Sequence, residues 1–197
     1  MKQDIILGSS SSGRKKVLAD LGYKFSVMSP GIDEKAIRHD DPKKLTSLLA
    51  NAKADALLER IKSPAILITS DQVVVCNGQI LEKPESPAQA KDFLSRYVDH
   101  PAETTATVVV TDTKSGKRFE GLDIAKVFFD RIPDELVDRL IEKGEIMEMS
   151  GAFMIDEPLL QKYIKEVQGE PESVFGLPKQ LTKRLLDMAQ VASVKVA

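Results

Sequence analysis

A loop rich in serine and glycine near the N-terminus contains the first residues that could bind a ligand. Residues 4–7 have the pattern of a short buried strand, and the loop from Gly8 to Gly13 joins it to a helix. In this arrangement, backbone N–H groups and a helix N-terminus suit a bound phosphate. Ser9 adds a hydroxyl donor, and Arg14 adds positive charge. The plain alternative is a solvated loop with a serine N-cap.

The loop differs from the P-loop of nucleotide-binding proteins. The spacing of Gly8 and Gly13 fits that motif, but Arg14 stands where it requires lysine. Lys15 stands where it requires the serine or threonine that reaches magnesium. The loop therefore indicates phosphate binding in general and no particular nucleotide motif.

Asp71 is the second candidate, because it lies within the most apolar run of the chain. Residues 65–76 predict a central strand, which the polar residues 70–72 interrupt. An acid there is costly to bury unless it is paired, binds a metal or lies at a strand end. A functional carboxylate and a turn-forming one both stay open on this pattern. Glu34, which follows Asp33, marks a second acidic site, although acidic pairs in loops are usually only solvated.

Two lysines complete the set of candidate residues. Lys53 lies in a predicted helix otherwise lined with alanine and leucine, and Lys83 follows a predicted hairpin turn at 77–78. Either lysine alone would be interpreted as a solubilising surface residue. Together with the two acidic sites and the phosphate-type loop, they suit a polyphosphate substrate with a divalent metal.

The scarce residue types limit the chemistry that the chain can use. The one cysteine, Cys76, excludes an intramolecular disulfide, and the two histidines lie in unlike contexts and form no metal-binding motif. A metal would therefore be held by carboxylates, which favours Mg²⁺ or Mn²⁺ over zinc. The net charge of −2, from 28 basic and 30 acidic residues, argues against nucleic acid as a partner. Since no apolar stretch reaches the ~20 residues of a membrane span, we expect no membrane contact and a cytoplasmic protein.

Strand patterns alternate with helix patterns along the whole chain. Strands are predicted at 4–7, 23–29, 65–76, 104–111 and 118–130, and helices after Gly13, at 41–60, 86–97, from Pro133, at 158–167 and at 178–189. Residues 174–178 are interpreted as a sharp turn into the last helix. The mixture predicts an α/β fold with a mixed sheet. We expect a single domain over residues 1–190, followed by a flexible tail at 191–197.

Four segments, in order along the chain, resemble the Maf family of nucleoside triphosphate pyrophosphatases. Residues 7–18 are similar to the family's opening L-A-S-x-S-P-R-R-x-x-L-L, and residues 70–74 with 82–84 are similar to its A-D-[TQ]-V-V and G-K-P. Residues 150–153 are similar to A-G-[AS]-[YF], and residues 174–178 to V-x-G-L-P. The resemblance extends over residues 4–188, nearly the whole chain, which makes it more specific than any single motif.

The resemblance implies an α/β fold with a mixed twisted sheet flanked by helices, of the inosine-triphosphate-pyrophosphatase type, with a nucleotide cleft. It implies hydrolysis of a nucleoside triphosphate between the α- and β-phosphates, with Mg²⁺ or Mn²⁺ as cofactor and a homodimer as the assembly. In this reading Asp71 is the general base that activates water and also a metal ligand, and Glu34 helps to position the metal or the water. The triphosphate would be held by Ser9, Arg14, Lys53 and Lys83.

Three positions set the base preference within the family, and they correspond to Gly13, Gln72 and Asp156. Members that prefer dTTP and UTP carry Arg, Thr and Gln there, whereas members that prefer 7-methyl-GTP carry a bulky residue, Gln and an acid. Gln72 and Asp156 fit the second group, and Gly13 fits neither. The chain also has Ser12 where the family has proline, and Glu82 where it has glycine.

The chemistry of Asp156 favours a guanine base. A carboxylate can accept two hydrogen bonds from the N1–H and N2–H edge of guanine, whereas uracil or thymine offers one donor there. A methylated guanine also carries positive charge, and Gly13 has no side chain to limit the room for a purine. We therefore predict hydrolysis of 7-methyl-GTP. The alternatives are a dTTP/UTP pyrophosphatase, or a nucleotide-binding regulator of cell division without turnover, which would need no base at Asp71.

Overall fold

The computed structural model describes residues 3–194 of the 197-residue chain. Within that range the strands are β1 (Asp4–Leu7), β2 (Ser26–Val27), β3 (Ala65–Cys76), β4 (Gln79–Leu81), β5 (Ala102–Asp112), β6 (Arg118–Phe129) and β7 (Ile164–Gln168). The α-helices are α1 (Ser12–Asp20), α2 (Pro42–Leu58), α3 (Pro87–Arg96), α4 (Asp134–Lys143), α5 (Pro158–Gln161) and α6 (Lys179–Val194).

The strands form one mixed sheet. Its order is β2-β1-β3-β5-β6-β7, and β4 pairs with β3. Strand β1 is parallel to β2 and β3, whereas β4 is antiparallel to β3 and β7 is antiparallel to β6. Over the described residues this is a seven-stranded sheet flanked by helices, and it confirms the predicted α/β fold class.

The described residues form two compact units. The first consists of residues 3–72, 106–123 and 175–194, and the second of residues 73–105 and 124–174. Both units have an apolar core of their own. The expectation of a single domain stays a prediction.

Each core is built from the buried faces of a few elements. In the first unit, side chains of β1, β3 and β5 pack with α1 and α6. A smaller cluster contains Ala54 and Leu57 of α2 and Leu67 of β3. In the second unit the core contains three aromatic rings, whose centroids lie 5.5 to 5.6 Å apart. They belong to Tyr97, Phe129 and Phe153. These cores hold the strands that carry the candidate site residues.

Capping residues begin two helices, and turn residues form one hairpin, where the sequence predicts them. Asp41 caps α2 by accepting hydrogen bonds from two backbone N–H groups, and proline follows at the first helical position. Ser86 caps α3 by accepting one hydrogen bond, from the Gln89 N–H, and a proline again follows the cap. Asn77 and Gly78 have φ of +48° and +76°, the conformation of a two-residue hairpin turn between β3 and β4.

The predicted helix at 158–167 is wrong over most of its length. Helix α5 ends at Gln161, and β7 then pairs antiparallel with β6, with Val167 opposite Val127. A proline starts a single helical turn, but the residues that follow gain ladder hydrogen bonds from a strand far away in sequence. A short apolar segment fits the periodicity of a helix as well as that of a strand, and here the long-range pairing with β6 favours the strand.

Other elements also differ from prediction. The strand predicted at 23–29 is limited to the two residues of β2, and β3 continues through residues 70–72 without interruption. Helix α6 extends to Val194, so residues 191–194 of the predicted tail are helical, and residues 195–197 lie outside the described part of the chain. Among the helices between residues 3 and 194, none has the length and apolar character that a membrane span requires.

Candidate active site

The serine-rich loop leaves β1 directly beside β3 because Gly8 has no side chain. Its N–H donates a hydrogen bond to the carbonyl of Ile68 over 2.7 Å. A Cβ at this position would lie 2.5 Å from Leu57 Cδ1 and 2.7 Å from Thr69 Cγ2, which is closer than side chains pack. The glycine therefore sets how closely the loop approaches the sheet.

The loop continues into a capped helix, in the predicted order of strand, loop and helix N-terminus. Ser9 is buried, and its Oγ accepts a hydrogen bond from the Ser11 N–H over 3.2 Å. Ser11 is the N-cap of α1, since its Oγ accepts from the Arg14 N–H over 3.4 Å. The cap fixes the first turn of α1 and thereby the position from which the Arg14 side chain extends.

Three neutral acceptors, which we call the arginine clamp, hold the Arg14 guanidinium. Nε donates to the Gly176 carbonyl over 3.1 Å, and Nη1 donates to the Ser70 carbonyl over 2.8 Å and to Ser9 Oγ over 3.4 Å. Burial lowers the pKa of Arg14, and the negative charge of Asp71 opposes that change. Because arginine keeps its proton in proteins, the clamp orients a positive charge.

Lys53 forms ion pairs with both of the predicted acidic residues. Its Nζ lies 2.6 Å from Asp71 Oδ1 and 3.1 Å from Glu34 Oε1. The side chains of Lys53 and Asp71 are 6% and 7% exposed, whereas that of Glu34 is 52% exposed. A buried ammonium needs such partners, because an unpaired charge is costly to remove from water. The structure thus brings together three candidate residues from α2, β3 and the 3₁₀ turn Glu34–Ala36.

The surroundings of Asp71 change the pKa of its carboxyl. Burial raises the pKa of its carboxyl above the ordinary value, although the Lys53 ammonium and the Arg14 guanidinium oppose the rise. A general base is most effective when its pKa lies near the working pH. A carboxylate whose pKa is raised binds a proton more strongly, so Asp71 is better suited than an exposed aspartate to take a proton from water.

Strand β3 passes through this site unbroken because its polar side chains have partners. Ser70 Oγ donates to the Gly176 carbonyl over 2.7 Å, and Asp71 accepts from Lys53. The predicted interruption at residues 70–72 is therefore wrong. Both partners are distant in sequence, so the local pattern contains no sign of them.

The remaining candidate residues are divided between the two units. Gln72 lies in the first unit, with Oε1 3.3 Å from where a Cβ of Gly176 would be. Lys83 and Asp156 lie in the second unit, both exposed, and Lys83 Nζ pairs with Glu148 over 3.2 Å. The first unit thus contains Ser9, Gly13, Arg14, Glu34, Lys53, Asp71 and Gln72. The roles that the family resemblance assigns to all of these residues stay predictions.

An aromatic side chain lies beside Gly13, and the expectation of extra room for a purine stays a prediction. A Cβ at this position would lie 3.1 Å from both Cβ and Cδ1 of Phe175. The Lys16 Nζ lies 5.6 Å from the centroid of the same ring, a cation–π contact. On its Cβ side, Gly13 therefore adjoins an aromatic side chain.

Sequence reasoning missed the contributions of Ser70 and Gly176 to the site. The pattern of residues 174–178 predicts a turn into the last helix, and its glycine does have a left-handed φ of +78°. Its carbonyl, however, accepts hydrogen bonds from both Arg14 and Ser70. A glycine in a sharp turn was the visible signal, but nothing in the sequence shows which group faces its carbonyl.

Asp71 and Glu34 are the candidate ligands for a divalent cation. Within residues 3–194, no group of three or more His, Cys, Asp or Glu side chains could hold a metal ion by itself. Mg²⁺ fits a pair of carboxylates all the same, because it commonly takes one or two of them and completes its shell with water and substrate phosphates. The donor set therefore suits a cation that binds together with a polyphosphate.

The geometry places a buried, ion-paired carboxylate and a clamped guanidinium in the first unit. In comparison with known proteins, the family described as "Maf-like protein" matches residues 4–189. This chain belongs to the Maf-like protein family, and the predicted resemblance is confirmed.

Individual relatives are similar over nearly their whole length. A 7-methyl-GTP pyrophosphatase of Dictyostelium discoideum is 48% identical, over 92% of this chain and 95% of the relative. A dTTP/UTP pyrophosphatase of Alkaliphilus metalliredigens (strain QYMF) is 34% identical, over 88% of this chain and 90% of the relative. A 7-methyl-GTP pyrophosphatase of Idiomarina loihiensis (strain ATCC BAA-735 / DSM 15497 / L2-TR) is 30% identical, over 98% and 97%.

Proposed function

We propose that this protein is a nucleoside triphosphate pyrophosphatase of modified or non-standard nucleotides, with 7-methyl-GTP as its preferred substrate. It would cleave between the α- and β-phosphates and release a nucleoside monophosphate and pyrophosphate. The observation that supports this most directly is the buried Lys53–Asp71 ion pair in the same unit as the clamped Arg14. A protein that only binds nucleotides needs cations, but it does not need a buried carboxylate of raised pKa.

In the proposed reaction Asp71 is the general base. Its carboxylate takes a proton from water, the water oxygen attacks the α-phosphorus, and the bond to the bridging oxygen of the β-phosphate breaks. The electron pair of that bond leaves with pyrophosphate. Lys53 contacts Oδ1 of Asp71 over 2.6 Å and so fixes the orientation of the carboxylate that accepts the proton.

The substrate's negative charge must be held while the water attacks. A triphosphate carries about four negative charges, and in-line attack requires them to be neutralised and oriented. Arg14 and Ser9 are proposed to bind phosphate oxygens. The role that the family resemblance gives to Lys83 stays a prediction. A divalent cation held by Asp71 and Glu34 would supply further positive charge to the phosphates.

The preference for 7-methyl-GTP is supported by two residues and by a relative. Gln72 and Asp156 are the residue types that family members with this preference carry at the corresponding positions. The exposed Asp156 carboxylate can accept both hydrogen bonds from a guanine edge and attracts its methylated, positively charged ring. The relative that is 48% identical is named for the same substrate.

A panel of nucleotides tests the activity. Purified protein is assayed for pyrophosphate release from 7-methyl-GTP, GTP, UTP and dTTP, with Mg²⁺ or Mn²⁺. We expect turnover that requires the metal, with the highest kcat/KM for 7-methyl-GTP. A higher kcat/KM for dTTP or UTP would support the second candidate, for which the relative that is 34% identical is named. Release from no member of the panel would overturn the enzyme and favour a nucleotide-binding regulator of cell division.

The assignment of the base is tested with Asp71→Asn. We expect kcat to fall about 10²–10⁴-fold while nucleotide binding is retained. Asp112→Asn is the matched control, because Asp112 is also a buried aspartate, at the end of β5, and its replacement should leave turnover unchanged. Wild-type turnover in Asp71→Asn would exclude Asp71 as the base.

The assignment of the base-recognition residue is tested with Asp156→Gln. We expect the ratio of kcat/KM for 7-methyl-GTP to that for UTP to fall, because an amide offers the guanine edge one acceptor and no charge. Asp99→Gln replaces another exposed acid of the second unit and should leave the ratio unchanged. An unchanged ratio in Asp156→Gln would remove the chemical reason for choosing guanine.

The assembly and the location of the protein stay predictions. The family resemblance implies a homodimer, which sedimentation of the purified protein tests. A cytoplasmic location follows from the sequence composition, and fractionation of the source cells tests it.

A further inference from the structure

We propose that Ser70 is a positioning residue for Arg14. Its hydroxyl fixes the Gly176 carbonyl, and this carbonyl and the Ser70 carbonyl together fix the guanidinium that binds the polyphosphate. The inference rests on the proposed function, because it takes a nucleotide as the ligand of Arg14.

Ser70 holds Arg14 through two separate paths. Directly, the Ser70 carbonyl accepts from Nη1 of Arg14 over 2.8 Å. Indirectly, Ser70 Oγ donates over 2.7 Å to the Gly176 carbonyl, which also accepts from Arg14 Nε over 3.1 Å. Ser70 is completely buried, so water does not compete for these contacts. One residue thus controls the acceptors on two edges of the guanidinium.

The conformation of Gly176 makes the indirect path depend on the hydroxyl. Gly176 has a φ of +78°, and its carbonyl accepts from Ser70 of β3. A Cβ at this position would lie 3.0 Å from Arg14 Nε and 3.1 Å from Nη2. Because glycine has more backbone freedom than any other residue, we expect this peptide to reorient when its hydrogen bond from Ser70 is lost. The bond from Ser70 attaches this peptide to the rigid central strand.

The position of Ser70 in the chain couples two parts of the proposed reaction. Ser70 precedes Asp71 on β3, so adjacent residues hold the phosphate-binding cation and the general base. Three of the five guanidinium N–H donors are used in the arginine clamp, and within residues 3–194 the two on Nη2 remain for a phosphate. Because the guanidinium is planar, fixing its other edges fixes the direction of these two donors.

The test is a double-mutant cycle between Ser70→Ala and Arg14→Met. We expect Ser70→Ala to raise KM about tenfold while kcat stays within about twofold, because uniform binding of the phosphates is lost. In the Arg14→Met background, Ser70→Ala should have no further effect on KM. Ser70→Cys, with a weaker donor of similar size, should give an intermediate KM, and it serves as the test variant if Ser70→Ala does not fold.

Ser173→Ala is the matched control. Ser173 is also completely buried, but its Oγ has no hydrogen-bond partner in the described part of the chain. Removing this hydroxyl should leave KM unchanged. Thermal unfolding midpoints of all variants show whether each protein is folded at the assay temperature.

Several results would overturn the positioning role. These are an unchanged KM in Ser70→Ala, an equal rise of KM in both backgrounds, or a rise in Ser173→Ala as large as that in Ser70→Ala. A second measurement separates failure of this inference from failure of the proposed function. The same cycle is repeated by measuring the dissociation constant of an α,β-methylene nucleotide analogue, which binds without being hydrolysed. A wild-type protein that binds the analogue without turnover refutes only the enzyme, whereas a protein that does neither refutes both.

Discussion

Replacing Lys53 with methionine removes the positive charge from the buried ion pair between Lys53 and Asp71. Methionine retains most of the length and the apolar stem of lysine, but it removes the ammonium that lies 2.6 Å from Asp71 Oδ1. Both side chains are less than a tenth exposed, so water cannot take the place of the missing group. The variant leaves Asp71 as a buried carboxylate with Arg14 as its remaining favourable charge.

The expected magnitude follows from burial. Removing one partner of a buried ion pair lowers the free energy of unfolding by about 3–5 kcal/mol. We expect about 3 kcal/mol for Lys53→Met, the lower end of that interval, because Arg14 still attracts the Asp71 carboxylate. The lost contact with Glu34 adds little, since that side chain is 52% exposed and such pairs contribute about 0–1 kcal/mol.

The loss depends on pH because Asp71 can bind a proton instead of remaining charged. Burial already raises the pKa of Asp71 in the folded state above its unfolded value, and removal of the ammonium raises it further. The folded state then binds this proton more tightly, so the free energy of unfolding falls as the pH rises between the unfolded and the folded pKa. The difference between variant and wild type is therefore small at acidic pH and complete above the variant's pKa.

Urea unfolding at about pH 5 and about pH 8, followed by circular dichroism, measures this difference. Lys83→Met is the control, since Lys83 is 60% exposed in its pair with Glu148 and should lose at most about 0.5 kcal/mol at either pH. Adding Asp71→Asn to Lys53→Met should recover most of the loss at the higher pH. An equal loss at both pH values, or a double variant no more stable than Lys53→Met, would refute the reasoning.

Three further predictions concern the base, the arginine clamp and the second core. The acidic limb of kcat/KM should lie above the ordinary aspartate pKa of about 3.9, because Asp71 must be ionised and burial raises its pKa; a pH–rate profile measures it. Gly176→Ala should lose about 1–2 kcal/mol of stability and also raise KM, because the new Cβ would displace Arg14. Gly22 has the same φ and open space around it, so Gly22→Ala should lose stability without a change in KM. If the KM values of Gly176→Ala and Gly22→Ala were equal, the displacement of Arg14 would be contradicted. Tyr97→Phe should lose about 1–2 kcal/mol in urea unfolding, since the buried hydroxyl donates to a carbonyl over 2.7 Å; no loss would show that this bond contributes nothing.

Signals that act within a few residues predicted most of the fold. Asp41 with Pro42 and Ser86 with Pro87 start helices through capping bonds to residues two or three positions away. The segment 158–167 could not be predicted in this way, because β7 exists through its hydrogen bonds to β6. The same segment in isolation offers a helix start and an ambiguous apolar pattern.

The residues of the site could be predicted more easily than their contacts. Asp71 in an apolar run and Lys53 on an alanine-rich helix each depart from their local pattern, and a departure of this kind is visible in a sequence. Their ion pair joins residues 18 positions apart and depends on how α2 packs against β3. Ser70 and Gly176 could not be found, because the acceptors that hold Arg14 are backbone carbonyls, which every residue has.

The distribution of charge explains how a chain with a net charge of −2 can bind a polyphosphate. Lys53 contacts two carboxylates, so its charge is balanced within the protein. The hydrogen bonds of Arg14 go to a hydroxyl and two carbonyls, which orient its charge without cancelling it. Arg14 therefore presents an oriented positive charge in the first unit. Because Lys53, Arg14, Asp71 and Glu34 together carry no net charge, a substrate with about four negative charges needs the divalent cation as well as Arg14 in the proposed reaction.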